Sequence, residues 1–170
     1  MIPSEHKENA PTDLHVGIIT TSDSLYSIED DKRDDKSGNI IQERIDEAGF
    51  SSERYLCPDE GKQIRKKLLE LLTDSGVDAV ITTGGTGVAS RDITIDVVSD
   101  LFDKELPGFG ELLRRKSYGK IGNSIILTRA TAGLIDQKPV FCLPGSPDSV
   151  KIGSDLIVSE LAHIEKHARE

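Results

Sequence analysis

The 170 residues predict a single-domain α/β protein of three layers, with helices on both faces of a mostly parallel sheet and an antiparallel edge pair. Two observations predict it. Short β-branched runs alternate with amphipathic helical stretches, the alternation that parallel β-α-β units produce. Polar or glycine-rich loops follow the strand runs, and an open parallel sheet gathers such loops along one rim.

The elements follow in order. Met1 to Asp13 is polar, contains Pro3 and Pro11, and is expected to be a flexible arm, leaving residues 14–170 as the folded domain. Leu14 to Thr20 reads as a buried strand that ends in the polar loop Thr21-Ser22-Asp23-Ser24. The charge run from Glu29 to Lys36 reads as a solvated loop. Ser37 is expected to cap a helix that buries Ile40, Ile41, Ile45 and Ala48, with Gly49 as its stop. Arg54 to Cys57 is a short strand, and Pro58-Asp59-Glu60 opens a helix burying Ile64, Leu68, Leu71 and Leu72.

Gly76 ends that helix before the strand at Ala79. A helix through Val97, Val98 and Leu101 and another around Leu112 and Leu113 come next. Ile125 to Leu134 and Pro139 to Leu143 are expected to be the antiparallel strands, joined by the turn-like Asp136-Gln137-Lys138. Ser146 and Pro147 then start a C-terminal helix carrying Val150, Ile157 and Leu161.

Composition narrows the function. A formal charge of -9 argues against a surface that binds nucleic acid non-specifically, because such a surface must neutralise phosphates. No apolar run is long enough to span a bilayer, and the first residues, with Glu5 and Glu8, lack the apolar core of a secretory signal. A cytoplasmic protein with no membrane partner is the expectation. Cys57 and Cys142 each end an apolar stretch without a Cys or His at ligand spacing, so they read as buried thiols rather than a zinc site or disulfide. His6, His15, His163 and His167 all lie near the chain ends, so no catalytic histidine is expected.

The most informative stretch runs from Ala79 to Thr94. An apolar strand enters Gly84-Gly85-Thr86-Gly87 and then Arg91-Asp92-Ile93-Thr94, which reads as an anion-binding turn before a helix. Arg91 adds a cation, whereas Asp92 would repel bare phosphate and suits a magnesium ion carried on it. Polyphosphate with a metal is therefore the functional reading. The competing one is a tight strand-to-helix turn in which Asp92 or Thr94 merely caps the helix. The window matches neither the dinucleotide fingerprint, since Ser90 replaces its last glycine, nor a Walker motif.

Four loops are expected to meet at one crevice: Thr21-Ser22-Asp23, Pro58-Asp59-Glu60, Gly84 to Asp92, and Pro144-Gly145-Ser146-Pro147. Asp59 and Asp92 are its candidate catalytic, magnesium-associated carboxylates. Capping alone is the competing account of Asp59 and Ser146.

Together these segments resemble the MoaB/MogA family of molybdenum-cofactor biosynthesis proteins, related to the molybdopterin-binding G domain of gephyrin. The resemblance covers the chain from Leu14 onward. It rests on Ser37-Gly38, Pro58-Asp59-Glu60, Thr83 to Gly87, Arg91-Asp92-Ile93-Thr94, Pro107-Gly108-Phe109-Gly110-Glu111, Thr128-Arg129-Ala130, Ala132-Gly133 and Leu143-Pro144-Gly145-Ser146-Pro147. Length and the Thr128-Arg129-Ala130 pattern resemble the MoaB branch. Val88-Ala89-Ser90, and Ile95 where many relatives place Pro, depart from the family pattern.

The resemblance implies a molybdopterin adenylyltransferase, in which Mg-ATP transfers AMP to the terminal phosphate of molybdopterin and pyrophosphate leaves, before molybdenum or tungsten insertion. It implies that Asp59 and Asp92 position magnesium, that the amides of Gly84, Gly85, Thr86 and Gly87 hold phosphate oxygens, and that Ser22 and Ser146 seat the pterin. Thr21, Asp23, Arg91, Thr94, Pro144 and Gly145 complete the expected binding set. A homo-oligomer, trimer or hexamer, and a downstream metal-insertion protein are the implied partners. Two alternatives stay open: a non-catalytic molybdopterin carrier, and a nucleotide pyrophosphatase of the competence-damage-inducible type.

Overall fold

The computed structural model describes residues 11–74 and 76–170. Most of the expected arm over residues 1–13 therefore lies outside the described residues, as does His6. Six strands form one sheet: β1 His15–Thr21, β2 Ser51–Cys57, β3 Ala79–Thr83, β4 Lys104–Glu105, β5 Thr131–Ile135 and β6 Lys138–Leu143. Their order is β2-β1-β3-β6-β5-β4, with the first four parallel and β5 antiparallel to both its neighbours. The helices are α1 Asp23–Tyr26, α2 Lys36–Glu47, α3 Gly61–Thr73, α4 Thr94–Ser99, α5 Pro107–Ile121 and α6 Pro147–Arg169.

Strand alternation sorts the central side chains into two cores. Val16, Ile18, Ala79, Ile81, Phe141 and Leu143 meet Ile41 and Ile45 of α2, Leu113 of α5, and Val150, Ile157 and Leu161 of α6. Ile19, Val80, Val140 and Cys142 meet Ile64, Leu68, Leu71 and Leu72 of α3 and Ile95 and Val98 of α4. Helices thus cover both faces, as the apolar strands require. Cys57 and Cys142 are buried free thiols, and burial pushes the Cys142 thiol up to about 12.

Several boundaries differ from the sequence reading. The expected strand from Ile125 divides: Gly122–Leu127 form a 3-10 segment with Ile126 82% and Leu127 58% exposed, and β5 begins only at Thr131. A strand needs a partner, and β6 offers pairing only up to Cys142 opposite Thr131 before Pro144 ends it. Asp35, not Ser37, caps α2 by accepting from the Gly38 amide at 2.9 Å. Ser37 instead donates to the Gly145 carbonyl at 2.9 Å, tying the start of α2 to the loop after β6. Ala48 sits exposed at the helix end rather than in the core, and Gly49 with φ 82° makes the expected stop. Strand β2 starts at Ser51, opposite His15, earlier than Arg54. Thr21 belongs to β1, and α1 and β4 are too short for periodicity to reveal.

The β5–β6 turn places Asp136 and Gln137 at φ 49° and 64°, the left-handed pair of a two-residue hairpin. A side chain at either position carries a local cost that glycine avoids. Gln137→Gly is expected to stabilise the fold by about 0.5–1 kcal/mol, read as a higher urea midpoint with unchanged m-value.

Candidate active site

The parallel order places the ends of β1, β2, β3 and β6 on one rim, and β1 and β3, from which the chain proceeds in opposite directions, form the switch point. Backbone bonds join the loops there. Ser22 N donates to Cys57 O at 3.0 Å, and Gly84 N donates to Leu143 O at 3.2 Å. Thr83 Oγ1 donates to Pro144 O at 3.2 Å, and Thr21 Oγ1 lies 3.1 Å from Thr94 Oγ1. All four loops expected to converge do so.

Gly84 and Gly85 hold φ of 94° and 59°. A Cβ on Gly84 would stand 2.2 Å from Thr21 O, and one on Gly85 2.3 Å from Thr94 Oγ1 and 2.9 Å from Asp59 Oδ1. Both conformation and space therefore demand glycine. Thr94 N donates to Gly85 O at 3.0 Å and closes the loop. Among the described residues, the amides of Gly85, Thr86, Gly87 and Val88 donate to no protein acceptor, which leaves a run of N–H groups for an anion. The Gly84 amide is engaged with Leu143, so of the four amides expected to hold phosphate those of Gly85, Thr86 and Gly87 are unengaged, with that of Val88 beside them.

The two carboxylates flank this loop. Asp59 Oδ2 accepts from Asp23 N at 3.0 Å while Asp23 Oδ1 accepts from Asp59 N at 2.9 Å, a reciprocal clasp between the loops after β1 and β2. The second oxygen of Asp59, Oδ1, is buried, faces Gly85, and has no hydrogen-bond partner among the described residues. Asp92 Oδ2 accepts from Ala89 N at 2.9 Å and lies 2.6 Å from where a Gly87 Cβ would be.

Burial pushes the Asp59 carboxyl above its ordinary range, and the nearby charges of Asp23 and Asp92 push it further. The Asp23 amide and Arg91 act the other way. Asp59 lies against Gly85 and Asp92 against Gly87, so the two acids stand on the same glycine loop. Arg91 is exposed and makes no ion pair among the described residues.

Capping does not account for these acids. Glu60 is the N-cap of α3 and Ile93 that of α4, neither with a side-chain bond. Helix α4 has only six residues, so the loop amides rather than an extended helix dipole supply the positive field expected here. An unpartnered buried carboxylate oxygen beside a second acid and a run of free amides fits magnesium on a polyphosphate, because that ion takes one or two carboxylates and fills its remaining positions with water and phosphate. Among the described residues, no group of three or more His, Cys, Asp or Glu side chains is placed to hold a metal.

Residues 17–163 match the family described as Probable molybdopterin binding domain. The chain belongs to this family. It is 46% identical over 170 residues to the molybdopterin adenylyltransferase of Pyrococcus furiosus, covering 98% of each chain. It is 40% identical over 173 residues to molybdenum cofactor biosynthesis protein B of Bacillus subtilis, covering 100% of this chain and 99% of that one. The crystal structure of the tungsten cofactor synthesizing protein MoaB from Pyrococcus furiosus superposes with a TM-score of 0.83 at 45% identity, covering 95% of this chain and 100% of that one.

In this molybdopterin-binding-family fold the rim has a second compartment. A cavity of about 330 Å³ is walled by Thr20, Thr21, Ser22, Asp35, Ser37 and Gly145, together with Gly84 of the glycine loop. Ser22 also caps α1 by accepting from Leu25 N at 3.2 Å. Ser146 lies between Gly145 and Pro147, both of which line the cavity, and its hydroxyl donates to Ser149 Oγ at 2.8 Å. It is the N-cap residue of α6, without a side-chain cap bond.

Sequence reasoning missed Asp35, which accepts from Thr20 Oγ1 and from Arg54 Nη2, both at 2.7 Å, and walls the cavity. The surrounding charge run concealed it. No described helix is long and apolar enough to cross a membrane.

The raised Asp59 carboxyl fixes the sign of a pH effect. Its folded range lies above the unfolded value of about 3.9, so native stability falls as pH rises through the folded range. Asp59→Asn is expected to melt higher than the native chain at pH 7, with the gap closing as pH drops below the unfolded value. Thermal scans across pH check this, and a gap that widens on acidification contradicts it.

Proposed function

We propose that this chain is a molybdopterin adenylyltransferase that uses Mg-ATP, with residues 14–170 forming one molybdopterin-binding domain. The observation that carries the reading is the run of unengaged amides at 85–88, set between the unpartnered Asp59 oxygen and Asp92. The name of the 46%-identical Pyrococcus furiosus relative supports the choice of reaction.

A phosphate oxygen of molybdopterin attacks the α-phosphorus of ATP. A new P–O bond forms, the bond to the β-phosphate breaks, and the electron pair leaves with pyrophosphate. The nucleophile is already anionic near neutral pH, so no general base is required, in keeping with the described histidines, His15 at the far end of β1 and His163 and His167 late in α6. What the protein supplies is alignment and charge neutralisation. Asp59 and Asp92 would hold magnesium, which when bound offsets phosphate charge. The amides of Gly85 to Val88 hold phosphate oxygens, and Arg91 reaches the same anion from the exposed side. Thr21 and Thr94 brace the glycine pair, and Asp23 orients Asp59. The cavity bounded by Ser22, Asp35, Ser37 and Gly145 takes the pterin substrate.

The product is then ready for molybdenum or tungsten insertion by a partner protein. Assembly as a homo-oligomer belongs to the same proposal.

Pyrophosphate release from ATP, magnesium and molybdopterin tests the reading. Asp92→Asn is expected to lower the rate at least about tenfold, about 1.4 kcal/mol of barrier, with the fold retained. Molybdopterin binding without turnover in the native chain would mean a carrier, and hydrolysis of ADP-ribose without pterin a pyrophosphatase. Near-native turnover by a folded Asp92→Asn variant removes the acid from the mechanism.

A further inference from the structure

Thr128-Arg129-Ala130 immediately precedes β5. Because β5 runs antiparallel to β6, its first residues lie at the same rim as the ends of the parallel strands. Arg129, two residues before β5, therefore reaches the glycine loop. Its Nη1 donates to the carbonyl of Gly87 at 3.0 Å and to that of Asp92 at 3.4 Å, the two ends of the 87–92 turn. Its Nη2 is paired with the Asp96 carboxylate on α4. One partly buried guanidinium thus ties β5, the loop and α4 together.

The geometry points to Arg129 as the positioning residue for nucleotide binding, acting through the direction of the loop amides rather than by touching the substrate. A trans peptide sets its carbonyl and the following N–H in opposite directions. With the Gly87 carbonyl drawn toward Arg129, the Val88 N–H is turned away from it, and that amide is one of the unengaged group at 85–88. The Asp92 carbonyl is held by the same nitrogen, which fixes the backbone that carries the Asp92 carboxylate. Asp92 anchors the turn from within, through Ala89 N, and Arg129 anchors it from outside. Gly84 and Gly85 lack the side chains that would otherwise restrain the loop, so an external brace limits the conformations an incoming polyphosphate must select against. Arginine suits the task because its planar fork serves two carbonyls and a carboxylate at once, which a lysine ammonium does not reproduce.

This inference rests on the nucleotide reading above, and its test separates the two. Native, Arg129→Gln, Arg129→Lys and Asp96→Asn chains are titrated with Mg-ATP by calorimetry, and pyrophosphate release is measured against ATP concentration with molybdopterin present. Arg129→Gln is expected to raise both the Kd and the KM for Mg-ATP about tenfold while kcat changes by less than about twofold. Arg129→Lys is expected to recover part of that loss, and Asp96→Asn to raise Kd by about twofold to threefold, as the outer tether alone is removed. A role confined to folding would lower the melting temperature and the active fraction and leave the Kd of the folded protein unchanged. That result, or native-like Mg-ATP binding by Arg129→Gln, overturns the inference alone. Should Arg129→Gln fail to fold, an unchanged Kd in Asp96→Asn overturns it. Absence of Mg-ATP binding by the native chain overturns the nucleotide reading and this inference together.

Discussion

A close approach of backbone to backbone organises this molecule. At the end of β3 the chain must pass beside the last residue of β1, where a Gly84 Cβ would stand 2.2 Å from the Thr21 carbonyl. Only glycine in the left-handed region fits, and that conformation turns the chain across the rim instead of continuing the strand. The consequences extend outward. Gly84 lies beside Gly145 of the β6 loop, Gly85 lies against Thr94 and Asp59, and Gly87 lies against Asp92. Four loops are drawn to one place by the absence of four side chains.

The same constraint separates two kinds of polar surface. On one side the unengaged amides and the two acids suit an anion that carries its own cation. On the other, hydroxyls and Asp35 wall a cavity large enough for a small organic group. The buried Asp59 oxygen is costly when ionised and unpartnered, as its raised carboxyl range reflects. Stability given up at a site of this kind is a familiar companion of function. The reciprocal bonds between Asp23 and Asp59 hold the acid in place despite that cost.

Much of the fold was legible because buried strands and amphipathic helices announce themselves by period. The β1, β3 and β6 runs, and the apolar stripe Ile64, Leu68, Leu71 and Leu72, fall where expected. The failures share a cause. Ile125 to Leu127 is apolar enough for a strand, but pairing depends on how far β6 extends, a non-local fact. The α2 cap moved from Ser37 to Asp35 because Arg54 and Thr20, distant in sequence, fix the Asp35 carboxylate beside the helix start. At the site, Asp59, Asp92 and the glycine loop were visible from residue type and loop position together. The engaged Gly84 amide, the bond between the Ser146 and Ser149 hydroxyls and the reach of Arg129 depend on three-dimensional placement alone.

In the proposed reaction the amides from Gly85 to Val88 bind polyphosphate beside Asp59 and Asp92. Backbone amide resonances of isotopically labelled protein titrated with Mg-ATP test it most directly. The account predicts that the largest shifts fall on residues 85–88, with Asp59 and Asp92 following and the shifts at 85–88 much reduced when magnesium is omitted. Shifts confined to residues of α5 and α6, with the glycine loop unmoved, would contradict it.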